Sequence, residues 1–108
     1  MTEARFQAKL LKELRKHPAL KEAVIFKHSD RFNGGVPDIS ITIGAQTTWL
    51  ELKVYPNKPD KLQQFYLNRM QRSHVLTLDS KTGYILNIWQ CWDSIERAAN
   101  DIAIRCLN

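Results

Sequence analysis

Cysteine is scarce in this chain. Its two, Cys91 and Cys106, have neither metal-ligand spacing nor the density of a secreted scaffold, which excludes a disulfide-built module and predicts two free, partly buried thiols. Long apolar runs are also lacking. None approaches the roughly 20 residues that cross a bilayer, and the charged, helical N-terminus does not read as a secretory leader. No membrane association is expected, and the location is expected to be intracellular, in the cytoplasm. Repeats, low-complexity tracts and linkers are missing too. The 108 residues are expected to form one domain, residues 1–108, with a single modest core.

The chain does have a basic excess, +5 at pH 7, and it is unevenly placed. Residues 1 to 28 carry seven Lys/Arg against three Glu, and residues 53 to 72 carry five against one Asp, so each stretch sums to +4. Residues 29 to 52 sum to −2 and the last 25 to −1. Basic flanks around an acidic centre suit a phosphate backbone held on both sides of a metal. Without the carboxylates they would describe an ordinary solvated surface.

Hydrophobic periodicity sets out the elements. Phe6, Leu10, Leu11 and Leu14 fall at helical spacing over residues 3 to about 16, opposite Lys9, Lys12, Arg15 and Lys16, until His17-Pro18 ends the pattern. Glu3 lies on the core-facing side of that helix start, where it could also serve the helix dipole from solvent. Residues 23 to 27 read as a short strand and His28 to Gly35 as a turn-rich loop, whose paired glycines permit close backbone approach. Pro37 biases Val36 towards an extended shape immediately before Asp38. Two alternating runs follow, residues 38 to 43 and 49 to 54, around a turn at 44 to 47. Asp60 with Gln63 has capping-box spacing and opens a helix to about Arg72. Strands at 74–78 and 84–89 flank a turn at 79–83. Asp93 and Glu96 repeat the capping-box spacing before a last helix with Ile95, Ala98, Ala99, Ile102, Ala103 and Cys106 as its apolar stripe. The expected fold is α/β: helix, three strands, helix, two strands, helix, around a central mixed sheet.

The chemistry gathers in the two alternating runs. Glu51 and Lys53 share one strand face, and if the runs pair as a hairpin, Asp38 approaches both at its open end. One or two carboxylates plus a substrate phosphate make the usual site for a hard divalent cation. Asp38 and Glu51 could supply that pair, and the Leu52 carbonyl a third oxygen. Lys53 could orient an attacking water or stabilise developing negative charge. The plainer alternative is an exposed hairpin with Glu51 and Lys53 as a weak ion pair. The joint presence of Val36-Pro37-Asp38, an intervening turn, and a strand whose alternate side chains are apolar weighs against it.

Asn33-Gly34-Gly35-Val36-Pro37-Asp38, then Trp49-Leu50-Glu51-Leu52-Lys53, then Asp60-Lys61-Leu62-Gln63 before a helix resembles the PD-(D/E)XK nuclease superfamily, and within it the VRR-NUC family, over residues 3 to 78. The resemblance implies a restriction-endonuclease-like core, αβββαβ, with an additional C-terminal strand and helix. It implies Mg²⁺ or Mn²⁺ held by Asp38 and Glu51, with Lys53 in the catalytic step. It further implies that Glu3 completes the acidic site and that Gln63 contacts Lys53 or a phosphate. Asp60 stands where the family often has Ser or Thr, a conservative change for capping. Stand-alone members are similar to structure-selective endonucleases, including dimers that cut four-way DNA junctions, so the expected partners are DNA, branched DNA in particular, and a second copy of the chain. Lys9, Lys12, Lys16, Lys58, Lys61, Arg69 and Arg72 are candidate phosphate contacts or ordinary solubilising charges. Trp89, Trp92 and Tyr84 are expected to pack inside or across a dimer contact. The rival readings are a catalytically silent nucleic-acid-binding or assembly protein on the same fold, and a nicking or flap nuclease.

Overall fold

A computed structural model describes residues 1–28, 34–86 and 95–108. The order is helix α1 (Glu3–Lys16), a single 3-10 turn (Pro18–Leu20), strands β1 (Val24–Lys27), β2 (Ile39–Ile43) and β3 (Gln46–Val54), helix α2 (Lys61–Arg69), strands β4 (Ser73–Leu78) and β5 (Ile85–Leu86), and helix α3 (Ile95–Leu107). The five strands form one sheet in the order β1-β2-β3-β4-β5. It is mixed: β3 and β4 run parallel and every other neighbouring pair antiparallel. The parallel pair requires a crossover, and α2 supplies it. An α/β chain with a mixed sheet is therefore observed as the periodicity predicts.

Local chemistry accounts for the boundaries. Thr2 caps α1 by accepting from the Arg5 N–H, and Asp60 caps α2 in a complete capping box with Gln63. Two boundaries differ from expectation by more than one residue. The turn between β2 and β3 takes only Gly44-Ala45, so β3 begins at Gln46 and Ile43 pairs with it. Gly44 supplies the positive φ of 59° that a two-residue hairpin needs at its first position, and the side chains of Thr42 and Thr47 bond across the pair at 2.9 Å. Helix α2 stops at Arg69 rather than Arg72, because the backbone is already extended at its C-cap Met70, and Arg72 then takes a left-handed φ of 55° as the chain turns into β4. Of the expected strand 84–89, residues 84 to 86 are described and Ile85–Leu86 form β5, and of the second capping box Glu96 is described but Asp93 is not.

Strand alternation divides the sheet into unlike faces. One receives α1 and α3. Ile39 and Ile41 of β2, Leu50 and Leu52 of β3 and Leu76 and Leu78 of β4 meet Phe6, Leu10 and Leu14 from α1 and Ala98, Ala99, Ile102 and Ala103 from α3. Cys106, a free buried thiol, bonds the buried Thr48 on this face, and burial raises its pKa. The other face carries Ser40, Thr42, Thr47, Trp49, Glu51, Lys53 and Thr77, with α2 lying along its β4 side. No residue of α2 is fully buried. No helix among the described residues is long and apolar enough to cross a membrane.

Candidate functional site

Register alone sets the centre of the polar face. Ile39 pairs with Leu50, so Asp38, one position before β2, stands opposite Glu51. Pro37, fully buried, has no N–H to continue the ladder. The Asp38 side chain serves the next donor of β3: its Oδ2 accepts from the Leu52 N–H at 2.8 Å. The Asp38 carbonyl accepts from the His28 N–H at 2.8 Å, which ties the same residue to β1. The aspartate is thus held from both sides, by main chain to β1 and by side chain to β3.

Glu51 is 1% exposed. Its Oε2 lies 3.8 Å from Lys53 Nζ, while its Oε1 is buried without a hydrogen-bond partner among the described residues. An unsatisfied buried carboxylate oxygen costs a few kcal/mol unless a proton or cation meets it. Asp38 and Glu51 approach closely enough to share a proton. Burial first, and then the Asp38 charge, push the Glu51 pKa up to about 8, against the pull of Lys53. The Asp38 pKa is raised as well, by burial, although the Leu52 N–H and Lys53 oppose the rise. Glu3 adds repulsion to both. Negative charge therefore exceeds what Lys53 compensates, and the centre has room electrostatically for a proton or for a cation.

The donor set is made of oxygens, which suits a hard divalent ion such as Mg²⁺ or Mn²⁺. Asp38 and Glu51 supply carboxylates, one of them with an unpartnered oxygen. Leu52 offers its carbonyl, which leaves the strand on the same edge as the N–H that Asp38 holds. Glu3 lies in the first turn of α1, half-buried. It acts on the pair through its charge, and among the described residues no group of three or more His, Cys, Asp or Glu side chains is gathered for a metal.

Gln63 stands in the first turn of α2 with its Oε1 accepting from the Asp60 N–H at 2.9 Å. Its carboxamide oxygen therefore serves the cap, and any further contact falls to its Nε2. The helix itself is brought over this end of the sheet by Gly35. A Cβ there would come within 2.8 Å of Leu62 Cγ and 3.1 Å of Tyr66 Cδ2, and the backbone φ is 102°. That close approach gives one of the paired glycines its reason, whereas Gly34 has open space.

The basic residues separate. Arg72 bonds Gln46 Oε1 at 2.6 Å and the carbonyls of Arg105 and Asn108, so it holds the C-terminal end of α3. Lys16 pairs with Glu13 at 3.1 Å, and Arg69 lies over the Phe65 ring at 4.9 Å. Lys9, Lys12, Lys58 and Lys61 are exposed. Tyr84 is largely exposed rather than packed inside, while Cys91, Trp89 and Trp92 lie outside the described residues.

Periodicity did not single out His28. It continues the Val24, Phe26 alternation by one step, and its N–H bond to Asp38 makes it the cross-strand neighbour of that carboxylate. Its Nε2 lies 2.8 Å from Ser40 Oγ, and its ring sits 5.3 Å from that of Trp49. The signal available was the period of two. The glycine-rich stretch that follows disguised it as the start of a loop. Comparison of the chain with models of known protein families, with curated proteins and with solved structures finds no match in any of the three.

Proposed function

We propose that this protein is a metal-dependent endonuclease that hydrolyses DNA phosphodiester bonds at the Asp38, Glu51, Lys53 centre, acting on branched DNA such as four-way junctions. The observation that carries this reading is the unpartnered Oε1 of buried Glu51, set against Asp38 with a single lysine 3.8 Å from its other oxygen. A structural ion pair needs one carboxylate per lysine and gains nothing from a second buried beside it.

Asp38 and Glu51 would hold Mg²⁺ or Mn²⁺ with the Leu52 carbonyl, and Glu3 would act through its charge or a bridging water. Such an ion polarises a phosphate and lowers the pKa of a bound water. Lys53, half-buried beside Glu51, would orient the attacking water and meet the negative charge that develops on the phosphate. Gln63 Nε2 would donate to a phosphate oxygen. In-line attack of that water would leave 5′-phosphate and 3′-hydroxyl ends. A homodimer would present two such centres to two backbones. The rival reading is a silent DNA-binding module, in which the Asp38–Glu51 pair would keep a proton in place of a cation.

Incubation with linear duplex, single-stranded, flap and four-way-junction DNA in Mg²⁺, Mn²⁺ or EDTA separates the two. Cleavage is expected with either metal, none in EDTA, and background rates for Asp38→Ala and Lys53→Ala. Cleavage that survives both substitutions would remove these residues from the site. Tight binding with no cleavage of any substrate would establish the silent module.

A further inference from the structure

Next to the carboxylates on the same sheet face lies a row of rings. Phe26 pairs with Ser40 and Ser40 with Trp49, so the three side chains cross β1, β2 and β3 in one line. The Asp38–Glu51 line is one step further along the strands, about 6–7 Å away at two residues of strand rise. Ser40 is short and leaves a gap between the two rings, and the His28 imidazole fills it. Its centroid is 6.4 Å from Phe26 at 62° and 5.3 Å from Trp49 at 35°, and the Ser40 hydroxyl anchors it. Trp49 is half-buried, whereas Phe26 is 58% exposed. Helix α2 covers the β4 side of this face, and β1 carries its ring at the far edge.

We infer that the Phe26, His28, Trp49 row is a stacking shelf for an unpaired nucleobase of the strand whose phosphate lies at the carboxylate pair. Three observations select this occupant. The shelf continues into the charged centre at a distance that one nucleotide of an extended strand spans. Apart from the carboxylate pair at its end it offers flat π surface, its Ser40 hydroxyl being buried and taken by His28, which suits a base and not a phosphate. Stacking on aromatic side chains is also available to every base, which matches a row with few hydrogen-bonding groups. A paired base inside a duplex cannot lay its face on protein, so the shelf favours a strand with unpaired nucleotides at the cut, as at a flap or an open branch point. The inference rests on the nuclease reading for the placement of the strand.

Fluorescence anisotropy in EDTA tests the shelf without any cleavage. A short oligo-dT, an abasic strand of the same length and charge, and a duplex are compared for the wild-type chain and Phe26→Ala. Oligo-dT is expected to bind about tenfold more tightly than the abasic strand. Phe26→Ala, an exposed position, is expected to lose most of that advantage and keep its affinity for the abasic strand. Oligo-dT is expected to quench tryptophan fluorescence in the wild type and far less in Trp49→Phe. Equal affinities for oligo-dT and the abasic strand, or quenching undiminished in Trp49→Phe, would overturn the shelf even in a protein that cuts DNA. A preference for oligo-dT that Phe26→Ala removes, in a protein that cuts nothing with Mg²⁺ or Mn²⁺, would uphold the shelf and sink the nuclease reading instead.

Discussion

The two faces of the one sheet have been built to opposite rules. Beneath α1 and α3, Ile39, Ile41, Leu50, Leu52 and Leu76 are closed off by apolar helix stripes. On the other side, Glu51 is buried as deeply as Leu52 beside it, 1% exposed in each case, yet one of its oxygens has no partner among the described residues. Burial of Leu52 removes apolar surface from water at about 25 cal/mol per Å² in favour of folding. Burial of Glu51 opposes folding, because its charge is desolvated beside another carboxylate. The dry face holds the fold together and the wet face carries a cost that a proton or a cation would relieve.

The largest effect expected from breaking this comparison lies on the dry face. Phe6→Ala, at a fully buried position of α1, should cost about 3–5 kcal/mol, measured by urea unfolding, and should take the site with it only as far as it unfolds the chain.

On the wet face the next largest effect depends on pH. The unfolded chain gives up the Glu51 proton near the ordinary value of 4.5, whereas the folded chain keeps it to about 8. Between these values the folded form holds more protons, so the stability of the metal-free protein should fall as pH rises, by a few kcal/mol at most. Glu51→Gln should flatten that slope, and Mg²⁺ should oppose it in the wild type. A stability that rises over the same window would contradict the buried, proton-sharing pair.

A smaller effect comes from the join between α2 and the approach to Asp38. Gly35→Ala combines a left-handed backbone with a Cβ 2.8 Å from Leu62 Cγ, and should cost about 1–3 kcal/mol. Proteolysis or hydrogen exchange should localise the loosening to α2. The smallest effect is at the exposed rim of the wet face. Phe26→Ala should leave the unfolding free energy within about 0.5 kcal/mol of wild type, whatever it does to binding.

Much of this was legible beforehand for a plain reason: each of the expected elements carries its own period. The stripe of α3, with Ala98, Ala99, Ile102, Ala103 and Cys106 all buried, and the alternation through Asp38 to Ile43 are read from local spacing. The ends of elements were less legible, since a two-residue turn at Gly44 and a left-handed Arg72 depend on how strands already brought together must twist and turn. Arg72 shows the limit well. As a charge in a basic stretch it was a candidate phosphate contact, and its guanidinium instead closes the end of α3, reaching a residue 33 positions away. Gln63 illustrates a second limit. Capping and the proposed phosphate contact ask for the same residue in the same place, and spacing cannot say which atom serves which.

By itself the sequence determined the strand faces, and hence that Glu51 and Lys53 would point one way and Leu50 and Leu52 the other, because a period of two leaves a strand residue no other choice. It also placed Asp38 at the head of a run that could turn back on Glu51. Only the tertiary structure decided that this face would be half-covered by a thinly packed helix, that Glu51 would be sealed from water with an oxygen unmatched, and that His28 would lie beside Asp38. Those outcomes depend on desolvation and on cross-strand register between segments far apart in the chain, and neither quantity exists until the sheet has formed.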